Sequence, residues 1–215
     1  VKKIGYDIDT YQFKEIISNW FDGVDLSKLH TLKKYEHFER ETDQSTMWHK
    51  KFYEMIRSDV SFNDVYIKFL SDVIKPRYNE EIVYQKIPTF RVHLPGNVSV
   101  GEFHKDKHYR NVEWAEKVRE TNYYLPLTKA YGTNTIWAET EEDKGDFKPF
   151  DSDYGECIEW DASNLTHGNK DNLSNSTRVS FDFRIIPKSR YIEIDNNLTI
   201  NTKIPFGIGG YYEVL

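Results

Sequence analysis

A single cysteine, Cys157, removes two chemistries at once. There is no second thiol for an intrachain disulfide, and no thiolate set for a cysteine-based zinc site. The reducing cytoplasm is the compartment such a chain suits. No stretch approaches the ~20 apolar residues of a membrane-spanning helix. The first ten residues, VKKIGYDIDT, mix charges and lack the apolar segment of a signal peptide. An excess of positive charge is also missing: 29 basic residues face 35 acidic ones, for a net charge of -6. Without a basic cluster, a phosphate-tracking nucleic-acid surface is not expected. One or two buried arginines remain enough to hold a compact anionic ligand. No Pro/Gly/Ser-rich linker divides the 215 residues, so one domain spanning 1–215 is expected. The implied partner is a small-molecule substrate, with no nucleic acid and no membrane. Oligomeric state is not encoded in any pattern here.

Aromatic residues are plentiful, with 15 Tyr, 13 Phe and 5 Trp. Most are read as core. In the first third they fall at helical spacing. Phe13, Ile16, Ile17, Trp20 and Phe21 form one stripe within 10–21, with Asp9 and Gln12 as a candidate capping box. A second helix is expected from about Ser45, carrying Trp48, Phe52, Met55 and Ile56 on one face. A third is expected from Ser61 as cap to Pro76 as stop, with Phe62, Val65, Tyr66, Phe69, Leu70 and Val73 inward. From about residue 82 the pattern becomes short strands: 82–94, 98–106, 121–128, 133–139, 155–160, 164–168 and 177–187. The acidic stretch 140–153 reads as an exposed loop. Helices followed by a run of strands imply an α+β, mainly β fold, in which 1–80 is helical support for a barrel or sandwich over 82–187. The remainder, 188–215, contains Gly207, Gly209 and Gly210 and reads as a tail or active-site flap.

Two clusters carry chemistry. His104 and Asp106 stand two apart in GEFHKDKHY, and on a strand such residues share a face. Seven His and 35 acidic residues produce roughly one such pair by chance. A second, His37-Phe38-Glu39, lies in a polar stretch without strand pattern and is read as solvated. The His104/Asp106 pair gains weight from His167-Gly168 after the short strand at 155–160. Two imidazoles and one carboxylate occupy three corners of an octahedron and leave three open, the set used by non-haem iron(II) oxygenases. The third element is TRVSFDFRI, residues 177–185. Val179, Phe181, Phe183 and Ile185 alternate with Arg178, Ser180, Asp182 and Arg184. Beside a metal site, an arginine fork with a hydroxyl two residues on suits a carboxylate ligand, and Asp182 is placed to pair with Arg184.

His-x-Asp, a distal His-Gly, then Arg-x-Ser on the last strand resembles the double-stranded β-helix (jelly-roll, cupin-like) oxygenases that depend on Fe(II) and 2-oxoglutarate. The nearest branch includes phytanoyl-CoA hydroxylase-like and streptomycin-biosynthesis-type members. The match covers about residues 82–187. It rests on order and spacing: 61 residues from Asp106 to His167 (167 − 106) and 11 from there to Arg178 (178 − 167). The resemblance implies that His104, Asp106 and His167 bind Fe(II). It also implies that Arg178 with Ser180 grips the distal carboxylate of 2-oxoglutarate. Asn122 is a candidate for the metal-side carboxylate, and Arg184 an alternative anchor. Arg91, Trp137 and Arg184 are candidates for the substrate end. O2 is the co-reactant, and succinate and CO2 are the expected co-products of hydroxylation, with desaturation or ring closure as alternatives. Polar and aromatic groups on the strands, Arg91, Tyr123, Tyr124, Trp137 and Glu139, point to a small polar metabolite rather than an acyl chain. The competing readings are a cupin-like metal-binding isomerase or ligand-binding protein, and a carbohydrate-binding β-sandwich. Cupin-like proteins usually gather more histidines around the metal, and a carbohydrate-binding sandwich would not need His104, Asp106, His167 and Arg178 to meet.

Overall fold

The computed structural model describes residues 1–32, 46–98, 102–109, 111–193 and 204–215. Ten strands follow in chain order: β1 (Lys2–Gly5), β2 (Ile82–Gln85), β3 (Thr89–His93), β4 (Thr121–Pro126), β5 (Ile136–Ala138), β6 (Lys148–Pro149), β7 (Glu156–Trp160), β8 (His167–Asn169), β9 (Arg178–Pro187) and β10 (Tyr212–Val214). Seven form a large sheet in the order β1-β7-β4-β9-β2-β10, with β3 also paired to β9. The other three form a small sheet, β6-β5-β8. Every pairing between these strands is antiparallel.

β9 organises the large sheet. One edge pairs with β4 from Thr121↔Ile185 to Pro126↔Ser180. The other pairs with β3 over Arg178–Asp182 and then with β2 over Ile185–Pro187. Its period of two sorts the side chains. Val179, Phe181, Phe183 and Ile185 are fully buried against the helical layer. There α1 (Phe13–Trp20), α2 (Met47–Ser58) and α3 (Val60–Phe69) present their apolar stripes. Phe181 meets Phe13 and Phe62 edge-on at 5.1 and 5.5 Å between centroids. Deleting such a ring costs about 3–5 kcal/mol. A second apolar cluster joins the two sheets, with Tyr124, Ile158 and Trp160 from one and Ala138 from the other. Arg178, Ser180, Asp182 and Arg184 therefore line the space between the sheets.

The helices lie where their stripes place them, but two caps differ. Gln12 precedes α1 with no side-chain cap, and its amide bonds the Asp9 carbonyl instead. Asp59, not Ser61, caps α3, accepting from the Ser61 N–H at 2.8 Å, because the carboxylate two residues earlier reaches that donor first. A π turn over Leu70–Ile74 and a 3-10 turn over Lys75–Arg77 then lead to β2. Three strand expectations also change. Within 98–106, residues 99–101 lie outside the described set. His104 makes an isolated bridge there and Asp106 opens a 3-10 turn over Asp106–Tyr109. The 140–153 loop contains β6, paired to β5. The 188–215 segment ends in β10, hydrogen-bonded to β2, rather than in a tail. A fourth helix, α4 (Val112–Val118), packs with Tyr212 of β10 in a third apolar cluster. Among the described residues no helix is long and apolar enough to cross a membrane.

Candidate metal centre

His104 and His167 exchange two backbone hydrogen bonds, His104 N–H to His167 O at 2.8 Å and His167 N–H to His104 O at 2.9 Å. This reciprocal pair brings their side chains side by side, with ring centroids 4.4 Å apart. The Asp106 N–H is fixed by the Ala162 carbonyl at 2.9 Å, and the 3-10 turn swings its carboxylate between the rings. One ligand atom from each of the three residues lies within 4.8 Å of the others. The Nε2 atoms of His104 and His167 are 3.5 and 3.6 Å from the same oxygen, Asp106 Oδ1.

The hydrogen bonds assign the tautomers. His104 Nδ1 lies 2.8 Å from the Glu102 carbonyl, and His167 Nδ1 lies 2.9 Å from the Leu165 carbonyl. A carbonyl only accepts, so each Nδ1 carries the proton, and each Nε2 offers a lone pair to the centre. Burial, opposed by Asp106, holds His167 below the ordinary imidazole value and so favours the neutral ligand form. Burial also lowers His104, but the hydrogen bond and charge of Asp106 outweigh it and shift that ring up. The far oxygen of Asp106, Oδ2, accepts from Arg184 Nη2 at 2.8 Å and lies 3.5 Å from Asn122 Nδ2. The donor set is two imidazoles, of which His104 would give up its Nε2 proton to a metal, and one directed carboxylate oxygen, which fits a divalent ion of the iron(II) type.

The surroundings hold this geometry. Lys105, between the two ligands, reaches Asp143 at 2.7 Å and Glu142 at 3.1 Å, and Lys107 reaches Glu142 at 2.9 Å. The acidic loop thereby clamps the His104–Asp106 segment. Glu139 is buried and accepts from the N–H groups of Gly145 and Thr166, tying that loop to the strand of His167. Trp160 stands perpendicular to the His167 ring at 4.6 Å. Gly168 is needed for close approach: a Cβ there would meet the Phe103 ring at 2.8 Å.

Deeper between the sheets lies Arg178, only 1 % exposed. Its Nε donates to the Asn134 carbonyl at 3.1 Å and its Nη1 to Ser180 Oγ at 2.8 Å. Its Nη2 is buried with no partner. The Tyr124 ring lies 5.9 Å from the guanidinium, and its hydroxyl is likewise buried and unmatched, as are Asn122 Oδ1 and Trp160 Nε1. His93 faces Arg178 in register. Its Nε2 lies 2.8 Å from the Asn97 carbonyl, and its Nδ1 makes no hydrogen bond among the described residues. Buried polar atoms without partners are few in folded proteins, and the register puts these on strand faces turned between the sheets.

Other expectations separate. Asp182 pairs with Arg91 at 3.3 Å, not with Arg184, because Arg91 lies on β3 beside it while Arg184 is engaged elsewhere. Arg91 therefore does face the interior. Trp137 does not: Ile136 and Ala138 take the inward positions of β5, and the Trp137 indole bonds the Gly132 carbonyl with Lys170 over its ring. Tyr123 points to the helical side, bonded to Tyr78 and Glu159, and Glu139 is the loop staple described above. The His37/Glu39 pair lies outside the described residues. Tyr124, expected among the pocket-strand groups, does face the interior, while His93 was legible only as the alternating neighbour of Arg91, and nothing in the sequence distinguished Gln85 or Tyr211.

No family model matches the chain. Among solved structures, a nickel complex of the non-heme monooxygenase ThoJ aligns with a TM-score of 0.49 at 12% identity, covering 87% of this chain and 73% of that one. AviO1 from Streptomyces viridochromogenes aligns at 0.45 and 14%, covering 88% and 90%. Iron-bound HygX from Streptomyces hygroscopicus aligns at 0.38 and 10%, covering 75% and 85%. Scores of this size do not assign a fold. The sequence comparison is stronger: the streptomycin biosynthesis protein StrG of Streptomyces griseus is 34% identical over 224 residues, covering 99% of this chain and 98% of that protein. With identity of that level over essentially both full lengths, the chain belongs to the StrG family.

Proposed function

We propose that this protein is an oxygenase dependent on iron(II) and 2-oxoglutarate that hydroxylates a small polar metabolite. The observation that carries the reading is the convergence of two Nε2 lone pairs and one Asp106 oxygen, each fixed by hydrogen bonds behind it. Iron(II) at such a site supplies O2 activation for oxidising a substrate C–H bond, with 2-oxoglutarate converted to succinate and CO2. Arg178 binds the distal carboxylate through its open Nη2, and Ser180 fixes the guanidinium plane. Asn122 borders the metal-side carboxylate. Arg91 and Asp182 border the substrate.

Strand order supports the same reading. From β3 onward the chain alternates between sheets: β3 large, the His104 bridge small, β4 large, β5 and β6 small, β7 large, β8 small, β9 large. We take this winding as a double-stranded β-helix with the metal between its sheets. Kinship with a protein of streptomycin biosynthesis suits an acceptor among small biosynthetic intermediates. The deciding experiment measures succinate by mass spectrometry with Fe(II), 2-oxoglutarate and a panel of amino acids, sugars, cyclitols and acyl thioesters. Succinate released with polar members is expected. Release with acyl chains alone would discard the substrate class, and Fe(II) binding without any 2-oxoglutarate binding would favour the cupin-like alternative.

A further inference from the structure

We propose that Arg184 and Tyr211 are positioning residues that act through Asp106, making the turn that leads into β10 part of the metal site. The inference rests on the metal reading above and goes beyond it. Arg184 is held mainly through its two terminal nitrogens, while its Nε makes no hydrogen bond among the described residues. Its Nη2 donates to Asp106 Oδ2 at 2.8 Å, its Nη1 donates to Tyr211 Oη at 2.8 Å and Gln85 Oε1 at 3.2 Å, and its Nε lies 3.8 Å from Glu120 Oε2. Each partner is itself fixed. Gln85 donates to the Ile87 carbonyl and to Thr89 Oγ1. Glu120 is bonded by the Tyr212 hydroxyl. The Tyr211 backbone is held from both sides, its N–H by the Pro205 carbonyl and its carbonyl by the Lys86 N–H, each at 2.9 Å.

This explains the glycines of 204–215. A Cβ on Gly210 would meet the Pro205 carbonyl oxygen at 2.2 Å, so only glycine lets the turn close and deliver Tyr211 to Arg184. The consequence at the metal is directional. A carboxylate has two equivalent oxygens and can chelate through both. With Oδ2 committed to a guanidinium held from behind, Oδ1 alone faces the two Nε2 atoms, 3.5 and 3.6 Å away. With a metal bound, Asp106 would serve as a one-oxygen ligand and leave open a position that a chelating carboxylate would take.

The test uses anaerobic protein titrated with Co(II), whose visible absorption reports coordination. Wild type, Arg184→Gln, Arg184→Lys, Tyr211→Phe and Glu213→Gln are compared, with apo-protein melting as the folding control. Tyr211→Phe removes only the hydroxyl and keeps the ring against Phe206 and Tyr212. Arg184→Gln should weaken Co(II) by about 10–100-fold, the usual cost of losing a group that orients a ligand, and change the band pattern. Tyr211→Phe should shift affinity and bands in the same direction by less, and Arg184→Lys should recover part of the loss. Glu213→Gln, two residues on in β10 but paired outward to Lys86, should match wild type. Wild-type affinity and bands in folded Tyr211→Phe would remove Tyr211 from the proposal, and the same result in Arg184→Gln would overturn it. A folded wild type that binds no Co(II) would instead overturn the metal reading.

Discussion

Arg178 and Arg184 stand at opposite ends of one strand face, the first fully buried and the second nearly so, and they differ in the partners they have. At the Arg184 end two carboxylates, a tyrosine and a glutamine surround the guanidinium. At the Arg178 end a carbonyl and a serine take two donors, and Nη2 is left with none among the described residues. Burying a guanidinium costs several kcal/mol that must be offset by partners. Arg184 is offset by carboxylates of the protein, whereas Arg178 has no carboxylate partner among the described residues; under the proposed function its counter-charge is the cosubstrate. Each leaves one buried nitrogen unpaired among the described residues, and the difference lies in the charge of the partners, carboxylates at Arg184 and neutral oxygens at Arg178.

The largest expected effect breaks the shared premise of a metal beside this face. His167→Ala should lose bound iron altogether, since two ligands rarely hold it in water. Stoichiometric iron in that variant by elemental analysis would refute the assignment. Next, Arg178→Leu should weaken 2-oxoglutarate binding by about 2–5 kcal/mol, the cost of leaving a buried partner charge unmatched. Arg184→Leu should act mainly on metal affinity, and equilibrium titration of cosubstrate into both variants decides between them. A larger loss at Arg184 would reverse the comparison. Lys at 178 should restore only part of the affinity, having no fork.

Acid sharpens the same contrast. His93, opposite Arg178, and His49, in the helical layer, are held down to about 3, in both cases by burial first and then by a neighbouring arginine, Arg178 or Arg91. Each is neutral when folded and titrates near 6.5 when unfolded. Their contribution is therefore complete above pH ~6.5 and is lost as pH falls toward ~3, at about 1.4 kcal/mol per pH unit for each. Urea midpoints should drop between pH 7 and 5, and His49→Leu should flatten that slope. A midpoint that rises on acidification would contradict the buried, neutral state of both rings. A smaller loss is expected for Glu139→Gln, about 1–3 kcal/mol, because one of the N–H groups of Gly145 and Thr166 loses a charged acceptor; thermal melting measures it. Trp137→Phe should leave iron content and cosubstrate affinity unchanged, and a change in either would return that residue to the interior.

Much of the site was legible as pattern. His-x-Asp, the distal His-Gly and Arg-x-Ser are short, but their order along a run of strands is informative, and alternation along residues 177–185 separated the polar face from the apolar one. Other features were not legible because they depend on contacts across the chain. The strand expected to carry His104 and Asp106 is a single bridge followed by a 3-10 turn, set by the carbonyls of His167 and Ala162. Asp182 chose Arg91 over Arg184 because β3 lies against β9 there. Trp137 shared a strand with inward residues but had the opposite parity.

Local chemistry by itself determined the helical stripes, the alternating strands and the types of donor available to a metal. Those follow from backbone periodicity and from what imidazole and carboxylate groups can bind. The tertiary structure decided which nitrogen of each histidine is free, which oxygen of Asp106 faces the centre, and which arginine meets carboxylates. Each of these depends on a hydrogen bond from a residue distant in sequence or from a backbone carbonyl whose direction the fold sets. The C-terminal glycines are the sharpest case: they read as a tail, and the close approach to Pro205 makes them the turn that brings Tyr211 to Arg184.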